Sequence, residues 1–218
     1  AFDVYGGFQS YGDVTVTVEG ASVINGNIEI NHGTGNNNVN TLIVKAGTVN
    51  GNIKKTNGNL TITGGTFTSD VSAYLSSGYI QNENGAVETL GETNAVAKVG
   101  DTYYKTLADA VTAADTTTTV TLLKDTTENV TIPTGKTITL DLNGKTLSGG
   151  KNNKKAALLN NGTVTIKDSS ATKTGTIKRE DDADKTGTSY YVIKNLGTMT
   201  IEQANVNNNS GYKKTNSA

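Results

Sequence analysis

The segments GTVTIKD at residues 162–168 and GTMTIEQ at residues 197–203 decide the fold of this chain. In each segment, a Gly and a Thr precede a strict alternation of apolar and polar residues. The apolar residues are Val164 and Ile166 in the first segment and Met199 and Ile201 in the second. Alternation of this kind is typical of a β-strand with one buried face. The repetition of this sequence motif predicts a chain of short, equivalent strands.

Further copies of the pattern occur throughout the chain, for example DVTVTVEG (13–20), NTLIVKAG (40–47), NLTITGG (59–65) and KTITLDLNG (136–144). Equivalent glycines are separated by 18 residues (Gly47 to Gly65), 27 residues (Gly20 to Gly47) and 35 residues (Gly162 to Gly197). A β-solenoid with three short strands per coil needs roughly 18 to 30 residues per coil, with insertions in one loop. A β-sandwich would have turns every 8 to 12 residues or so but not the same phrase in each repeat. The spacing therefore favours an all-β solenoid over a sandwich.

The alternation also predicts which side chains point into the solenoid. We expect the inward residues to include Val14, Val16, Val18, Ile28, Ile30, Leu60, Ile62, Ile138, Leu140, Val164, Ile166, Met199 and Ile201. Asn-Gly pairs at 25–26, 50–51, 57–58, 143–144 and 161–162 are turn formers, and stacked Asn side chains are expected to form amide ladders between coils.

The composition excludes several classes of protein. Among 218 residues there are 37 Thr, 26 Asn and 25 Gly, a set that favours strands and tight turns. A net charge of -1 provides no basic field for nucleic acid or for an anionic membrane surface. The absence of Cys and the single His exclude a disulfide scaffold, a thiolate site and a multi-histidine metal site. No apolar run approaches the roughly 18 residues of a membrane span, and no signal peptide precedes the first strand, so we expect a mature, excised or cytosolic chain without membrane insertion.

One segment, TLADAVTAAD at 106–115, has helical rather than strand spacing. Leu107, Ala110, Val111 and Ala114 lie on one helical face, and Thr106 with Asp109 forms a capping-box pattern. A short amphipathic helix commonly covers the apolar end of a solenoid. We therefore expect two pieces, 1–92 and 93–218, with a helical cap at about 93–123.

These residues carry a resemblance to a known family. The segments VAKVGDTYYKTLADAVTAADTTTTVTLLKD (96–125) and VTIPTGKTITLDLNGKTL (130–147) resemble the start of right-handed parallel β-helix domains in large surface proteins of Gram-positive gut bacteria. The segment GGTFTSDVSAYLSSGYI (64–80) is similar to their closing segment, and NNGTVTIKD and NLGTMTIEQ to their middle coils. The resemblance implies a pectate-lyase-like right-handed parallel β-helix and an extracellular, cell-surface location. It supplies no activity by itself.

A polysaccharide lyase would need clustered carboxylates for Ca²⁺ and a basic residue. The dense acidic run is Glu180, Asp181, Asp182 and Asp184, between Arg179 and Lys185. Consecutive carboxylates on a loop splay apart and lack calcium-loop spacing, so the pattern favours a solvated loop over a weak cation site. The single imidazole, His32, has no marked acid or nucleophile partner. We expect no catalytic residue and no cofactor.

Aromatic residues are the remaining candidates for ligand binding, because sugars stack on flat rings. They are the pairs Tyr103–Tyr104 and Tyr190–Tyr191, with Tyr5, Tyr11 and Tyr212. Without Trp or regular aromatic spacing, packing in caps and strand faces is the favoured interpretation. A module that binds host or bacterial glycans and a lyase-like enzyme on a β-helix remain the alternative functions.

The order of the caps is the most informative feature for function. The closing-type segment at 64–80 precedes the opening-type cap at 93–123, so both termini are expected to fall within a solenoid. Residues 191–218 would then end on an unfinished coil that residues 1–28 continue. The unlike ends would join head to tail, either between separate chains or as one period of a tandem array. This predicts an adhesive or structural stalk or filament subunit whose partner is itself. The expected interface residues are Phe2, Val4, Val14, Val16, Val192, Ile193, Met199, Ile201 and Val206.

Overall fold

The computed structural model describes residues 2–6, 13–32, 39–149, 155–179 and 191–208, with residues 2–6 and His32 described by their backbone only. The described part is an all-β structure with one α-helix. It forms two compact units, residues 1–90 and 91–218. The acidic run at 180–184, together with Tyr11, Lys185, Tyr190 and Tyr212, lies outside the described residues.

The first unit consists of short strands that form three parallel sheets. Its strands are β1 (Phe2–Gly6), β2 (Thr15–Val18), β3 (Val23–Asn25), β4 (Ile28–His32), β5 (Thr41–Val44), β6 (Thr48–Asn50), β7 (Ile53–Lys55), β8 (Asn59–Ile62), β9 (Thr66–Phe67), β10 (Tyr79–Gln81) and β11 (Val87–Thr89). The parallel sheets have the orders β1-β4-β7, β2-β5-β8 and β3-β6-β9. Each strand thus pairs with the third strand after it, and three consecutive strands form one three-strand repeat.

The second unit uses the same rotation of strands among three sheets. It contains β12 (Ala97–Val99), β13 (Thr102–Tyr104), α1 (Leu107–Ala113), β14 (Thr118–Leu122), β15 (Thr126–Thr127), β16 (Val130–Ile132), β17 (Thr137–Asp141), β18 (Thr146–Gly149), β19 (Leu158–Asn160), β20 (Thr163–Lys167), β21 (Thr176–Arg179), β22 (Ile193–Asn195), β23 (Thr198–Ile201) and β24 (Asn205–Asn208). The sheets run β13-β12-β14-β17-β20-β23, β15-β18-β21-β24 and β16-β19-β22. Their strand pairs are parallel except those made by β12.

The register of the sheets stacks like residues on one another. In the second unit Ile138, Val164 and Met199 are successive partners, and Leu140, Ile166 and Ile201 form the next column. Most of the predicted inward residues are buried, as alternation requires. Val14, Val16, Leu60 and Met199 are only partly buried, and Ile201 is exposed. Val14, Val16, Met199 and Ile201 lie on or beside β2 and β23, two end strands that no further described strand covers. Leu60 lies on β8, the opposite end of the sheet β2-β5-β8.

Tight turns and amide pairs connect successive repeats. A Cβ on Gly197 would collide with the carbonyl oxygen of Gly162 in the preceding repeat, so only glycine fits this stacked turn. The Asn50 amide donates to the Asn25 side chain at 2.8 Å, and the Asn160 amide donates to Asn195 at 2.7 Å. The predicted amide pairing between repeats is therefore confirmed at both places.

The predicted helix is confirmed as α1, with Thr106 as its N-cap. The Thr106 hydroxyl accepts a hydrogen bond from the Asp109 N–H at 3.0 Å. The Glu128 carboxylate accepts from the N–H groups of Leu107 and Ala108 at 2.9 and 3.1 Å, and the Lys136 ammonium donates to the Thr112 carbonyl at 2.8 Å. An anion at the N-terminus and a cation at the C-terminus both complement the helix dipole.

In each unit, further elements cover one end of two of the three parallel sheets. In the first unit, isolated bridges join Ile62 to Leu75 and Thr66 to Ala86, so the segment that follows β9 lies against β8 and β9. This segment continues through the antiparallel β10–β11 pair to Thr89, beyond the predicted closing segment. In the second unit, β12 pairs with β14, and α1 packs on β12, β13, β14 and β16. At the opposite end of each unit, no described residue covers the last strands of the three sheets.

Candidate self-assembly edges

At the end opposite to its covered end, each unit has three strands with one strand neighbour each within the described residues. In the first unit these strands are β1, β2 and β3, here named the β1–β3 edge. In the second unit they are β22, β23 and β24, here named the β22–β24 edge. The outer N–H and C=O groups of such strands can pair with another parallel strand.

Apolar side chains become exposed at the β22–β24 edge. In the column that ends on β23, Ile166 is 0% exposed and its partner Ile201 is 47% exposed. In the column that ends on β24, exposure rises from 0% at Ile177 to 44% at Val206. Leu196, in the turn before β23, is also exposed. The same inward positions that are buried one repeat earlier therefore present an apolar surface here.

The β1–β3 edge shows the complementary change. Val16 is partly buried where its partner Leu42 is fully buried, and Ile24 is partly buried where its partner Val49 is fully buried. Val23 is 61% exposed. Backbone pairing places Phe2 opposite Ile28 and Val4 opposite Ile30.

Eight of the nine predicted interface residues lie at the two edges, four at each edge. Phe2, Val4 and Val16 lie on β1 and β2, and Val14 precedes β2. Ile193, Met199, Ile201 and Val206 lie on β22, β23 and β24. Val192 precedes β22 and is buried in the core of its own unit, so its side chain is not on the edge surface.

Charged residues lie on the outer faces of the strands beside the apolar columns. The Lys54 ammonium contacts the Glu29 carboxylate at 2.9 Å, and the Thr56 hydroxyl donates to the same oxygen at 3.0 Å. The hydrogen bond from Lys54, followed by the one from Thr56, lowers the pKa of Glu29. Asp3 on β1 is the register partner of Glu29, and Lys194 lies exposed on β22.

Two buried carboxylates were missed by the sequence reasoning. Asp168 accepts hydrogen bonds from the N–H groups of Gly144, Ser170 and Gly175 at 2.8, 2.9 and 2.6 Å. Asp141 accepts from the N–H groups of Asn143 and Ser169 at 3.0 and 2.9 Å. These carboxylates hold the turns that follow β17 and β20, which is a structural role. An Asp at a strand end before Asn-Gly or Ser-Ser is the turn signal that could have identified them.

The pKa of Asp168 combines two opposing effects. Burial raises the pKa, but the hydrogen bonds from the Ser170 hydroxyl and from the backbone N–H groups of Gly175, Ser170 and Gly144 lower it by more in sum. The pKa therefore lies below the ordinary value for Asp, and the carboxylate is ionised at neutral pH.

The residues considered for catalysis do not form a catalytic set among the described positions. Arg179 is fully buried, and its Nη1 donates to the carbonyl oxygens of Lys155 and Tyr191 at 2.6 and 3.5 Å. The backbone of His32 pairs with Gly6 at the end of β4. No group of three His, Cys, Asp or Glu residues that could hold a metal occurs in the described ranges.

A groove of about 410 Å³ lies on the sheet β16-β19-β22 of the second unit. Tyr191, which is 51% exposed, lines it together with Lys155 and Lys194. Tyr103 and Tyr104 lie half-buried on β13, and Tyr104 packs against the core of this unit. Of the predicted aromatic candidates whose side chains are described, Tyr191 is thus the most exposed, and it lies in a groove with two cationic side chains.

Comparison of the chain with protein-family models, with curated proteins and with solved structures found no match. No helix in the part of the chain that the structure describes has the length and hydropathy needed to cross a membrane.

Proposed function

We propose that both units are right-handed parallel β-helices. Successive strands join the three parallel sheets in a fixed order, so the chain returns to the same sheet after every three strands. This order supports the proposal. A parallel crossover within one sheet is right-handed in about 98% of cases, which favours the right-handed form. The likeness to β-helix domains of bacterial surface proteins rests on residues 64–80, 96–125 and 130–147.

We propose that the chain is an extracellular structural or adhesive module that joins head to tail with further copies of itself. The observation that carries the proposal is the apolar exposure on the β22–β24 edge, at inward positions that are buried one repeat earlier. Because the β22–β24 edge meets the unlike β1–β3 edge, the contact is heterologous and propagates into a fibre unless it closes a ring. The same contact would be covalently continued where the copies follow each other in one longer chain. A surface stalk or filament is the function that fits both cases.

The experiment is light scattering on the isolated 218-residue chain over a concentration series. We expect the mean mass to rise with concentration for the wild type and to remain monomeric for Ile201→Glu, which places a charge in the apolar edge. Val39→Glu is the matched control, since Val39 is an exposed β-branched residue like Ile201 but lies on none of the strands of the two edges. A wild type that stays a compact monomer at all concentrations, with both edges protected from hydrogen exchange, would contradict the proposal.

Glycan binding is the second candidate, and the groove at Tyr191 is the observation that favours it. An exposed ring can stack on a sugar while Lys155 and Lys194 contact a carboxylate, so an acidic oligosaccharide is the expected ligand class. Titration with oligogalacturonate should show binding that Tyr191→Ala weakens and Tyr104→Phe leaves unchanged. Equal affinity of Tyr191→Ala and wild type would exclude this groove.

A further inference from the structure

We infer that assembly occurs in one register, in which β1 of one copy supplies the strand that follows β24 of its neighbour. This inference rests on the proposed head-to-tail contact and specifies its geometry. Three observations carry it: the order of strand types in the two units, the side chains that would meet, and the charges beside them.

The two units can be aligned strand type by strand type. A glycine directly precedes each of three strands: Gly58 precedes β8, Gly162 precedes β20 and Gly197 precedes β23. Each strand then has two apolar residues that alternate with polar ones, namely Leu60 and Ile62 on β8, Val164 and Ile166 on β20, and Met199 and Ile201 on β23. The sheet β2-β5-β8 therefore corresponds to the sheet that ends on β23. By chain order, β3-β6-β9 corresponds to the sheet that ends on β24, and β1-β4-β7 to the sheet that ends on β22.

This alignment shows how unlike edges complete one repeat. In chain order, a strand of the sheet β16-β19-β22 would follow β24. β1 belongs to the corresponding sheet, β1-β4-β7, and β2 is the next strand after it. β1 of a second copy can therefore pair with β22 while it keeps its own partner β4. At the same time β2 of the second copy meets β23, and β3 meets β24. All three sheets then continue with parallel strands from one copy into the other.

The glycines fix the register on β23. Thr15 pairs with Thr41, and Thr41 pairs with Asn59, so Thr15 and Asn59 occupy equivalent positions on β2 and β8. Asn59 directly follows Gly58, just as Thr198 directly follows Gly197, so Thr198 is the equivalent position on β23. The register therefore places Thr198 beside Thr15, Met199 beside Val16, Thr200 beside Thr17 and Ile201 beside Val18.

The same register matches like side chains on the other two sheets. On β24 it places Val206 beside Ile24 and Asn207 beside Asn25, which extends the amide pair that Asn25 already forms with Asn50 at 2.8 Å. On β22 it places Ile193 beside Phe2 and Lys194 beside Asp3. Each apolar inward residue on β23 and β24 thus has an apolar register partner, and Lys194 has an acidic residue as its register partner. A one-residue slip would turn every apolar side chain to the wrong face.

Disulfide trapping tests this register, because the chain has no cysteine of its own. Thr200→Cys protein is mixed with Thr17→Cys protein under mild oxidation, and the linked peptides are identified by mass spectrometry after proteolysis. The matched control mixes Thr200→Cys with Thr15→Cys, since Thr15 and Thr17 are both exposed on the same face of β2. We expect the link between positions 200 and 17 to exceed the link between positions 200 and 15 at least about tenfold, because a two-residue offset exceeds the Cα separation that a disulfide spans.

The outcomes separate the register from the assembly itself. Equal links in the two mixtures, or an excess of the link to position 15, in protein that light scattering shows to assemble, would overturn the register and leave head-to-tail assembly standing. A dominant link between two copies of the Thr200→Cys protein would overturn both, because like edges would then be in contact. Absence of assembly by the wild type at every concentration, with both edges protected from hydrogen exchange, would overturn the proposed function.

Discussion

At the scale of single residues, buried polar groups fix the turns of the second unit, and Asp168 is the clearest case. Its carboxylate accepts hydrogen bonds from three backbone N–H groups that belong to two successive turns. Gly175 leaves no room for a side chain there, since a Cβ on it would lie 2.7 Å from the carboxylate oxygen. The Asp168 side chain therefore links the turn after β17 to the turn after β20.

We expect Asp168→Asn to reduce the free energy of unfolding by about 1–3 kcal/mol at pH 7. Both carboxylate oxygens of Asp168 accept hydrogen bonds, whereas the side-chain nitrogen of Asn cannot accept one. The pKa of Asp168 is lower in the folded state than in the unfolded state, so its stabilisation is present above the unfolded pKa of about 3.9 and is lost as pH falls through the folded pKa. Urea denaturation at pH 7 and pH 2.5 measures this effect. The difference between wild type and variant should shrink at the lower pH, and Asp115→Asn, an exposed carboxylate, should show no such change.

We also expect that no single substitution at His32, Arg179, Asp181 or Asp182 abolishes the activity of the protein, which we take to be assembly. Among the described residues no nucleophile, base and orienting group come together. Light scattering of His32→Ala, Arg179→Lys, Asp181→Asn and Asp182→Asn should match the wild type. Release of unsaturated sugars from pectin or alginate that one of these changes eliminates in a folded protein would restore the lyase hypothesis.

At the scale of elements, α1 shows how a local signal and a distant residue combine. Thr106 and Asp109 have the spacing of a capping box, and the structure confirms the bond from the Asp109 N–H to Thr106. The first N–H groups of the helix are instead satisfied by Glu128, which lies beyond β15. Glu128 could not be found from the sequence, because no periodicity links it to the helix.

Thr106→Ala should destabilise the second unit by about 1 kcal/mol, the usual cost of losing an N-cap side chain. Thr112→Ala is the control, since Thr112 lies exposed on the same helix and its hydroxyl donates to the carbonyl of Ala108 within that helix. Thermal unfolding followed by circular dichroism measures both. Equal stability of Thr106→Ala and Thr112→Ala would mean that Glu128 alone caps the helix.

Replacement of Ile166 by Asp should cost at least about 3 kcal/mol, because it places an unpaired charge in a fully buried column. Thr165→Asp on the opposite face of β20 is the matched control and should cost much less. Denaturant titration followed by circular dichroism compares the two. Similar losses in both variants would contradict the assignment of the inward face.

The strands were predictable from the sequence because alternation records which face of a strand is buried. β5, β8, β17, β20 and β23 all lie within the segments that this pattern identifies. The hairpin β10–β11 was not predicted, because its strands Tyr79–Gln81 and Val87–Thr89 are too short to show alternation. The alternation of apolar and polar residues also did not predict that Ile201 and Val206 are exposed, since their exposure depends on which strand is last in its sheet.

At the scale of the whole molecule, the order of the covered ends determines what the chain can assemble into. The end of the first unit that is covered follows β9, and the end of the second unit that is covered precedes β14. The two edges that remain therefore belong to different units and have different sequences. Contact between unlike edges makes every copy both a donor and an acceptor of strands, whereas contact between like edges at one end only would stop at a dimer.

Two edge variants distinguish these cases. Ile201→Glu blocks the β22–β24 edge and Val16→Glu blocks the β1–β3 edge, so neither protein should assemble alone. Each variant keeps the edge that the other has lost, so an equimolar mixture should form a 1:1 heterodimer and nothing larger. Light scattering of the separate and mixed proteins measures the mass of the complex, and circular dichroism verifies that each variant is folded. The double variant Val16→Glu/Ile201→Glu is the control, because it has lost both edges and should bind neither single variant. If contact joined like edges, each single variant would still dimerise through its intact edge and mixing would change nothing. A heterodimer that appears only on mixing therefore requires that the two edges bind each other.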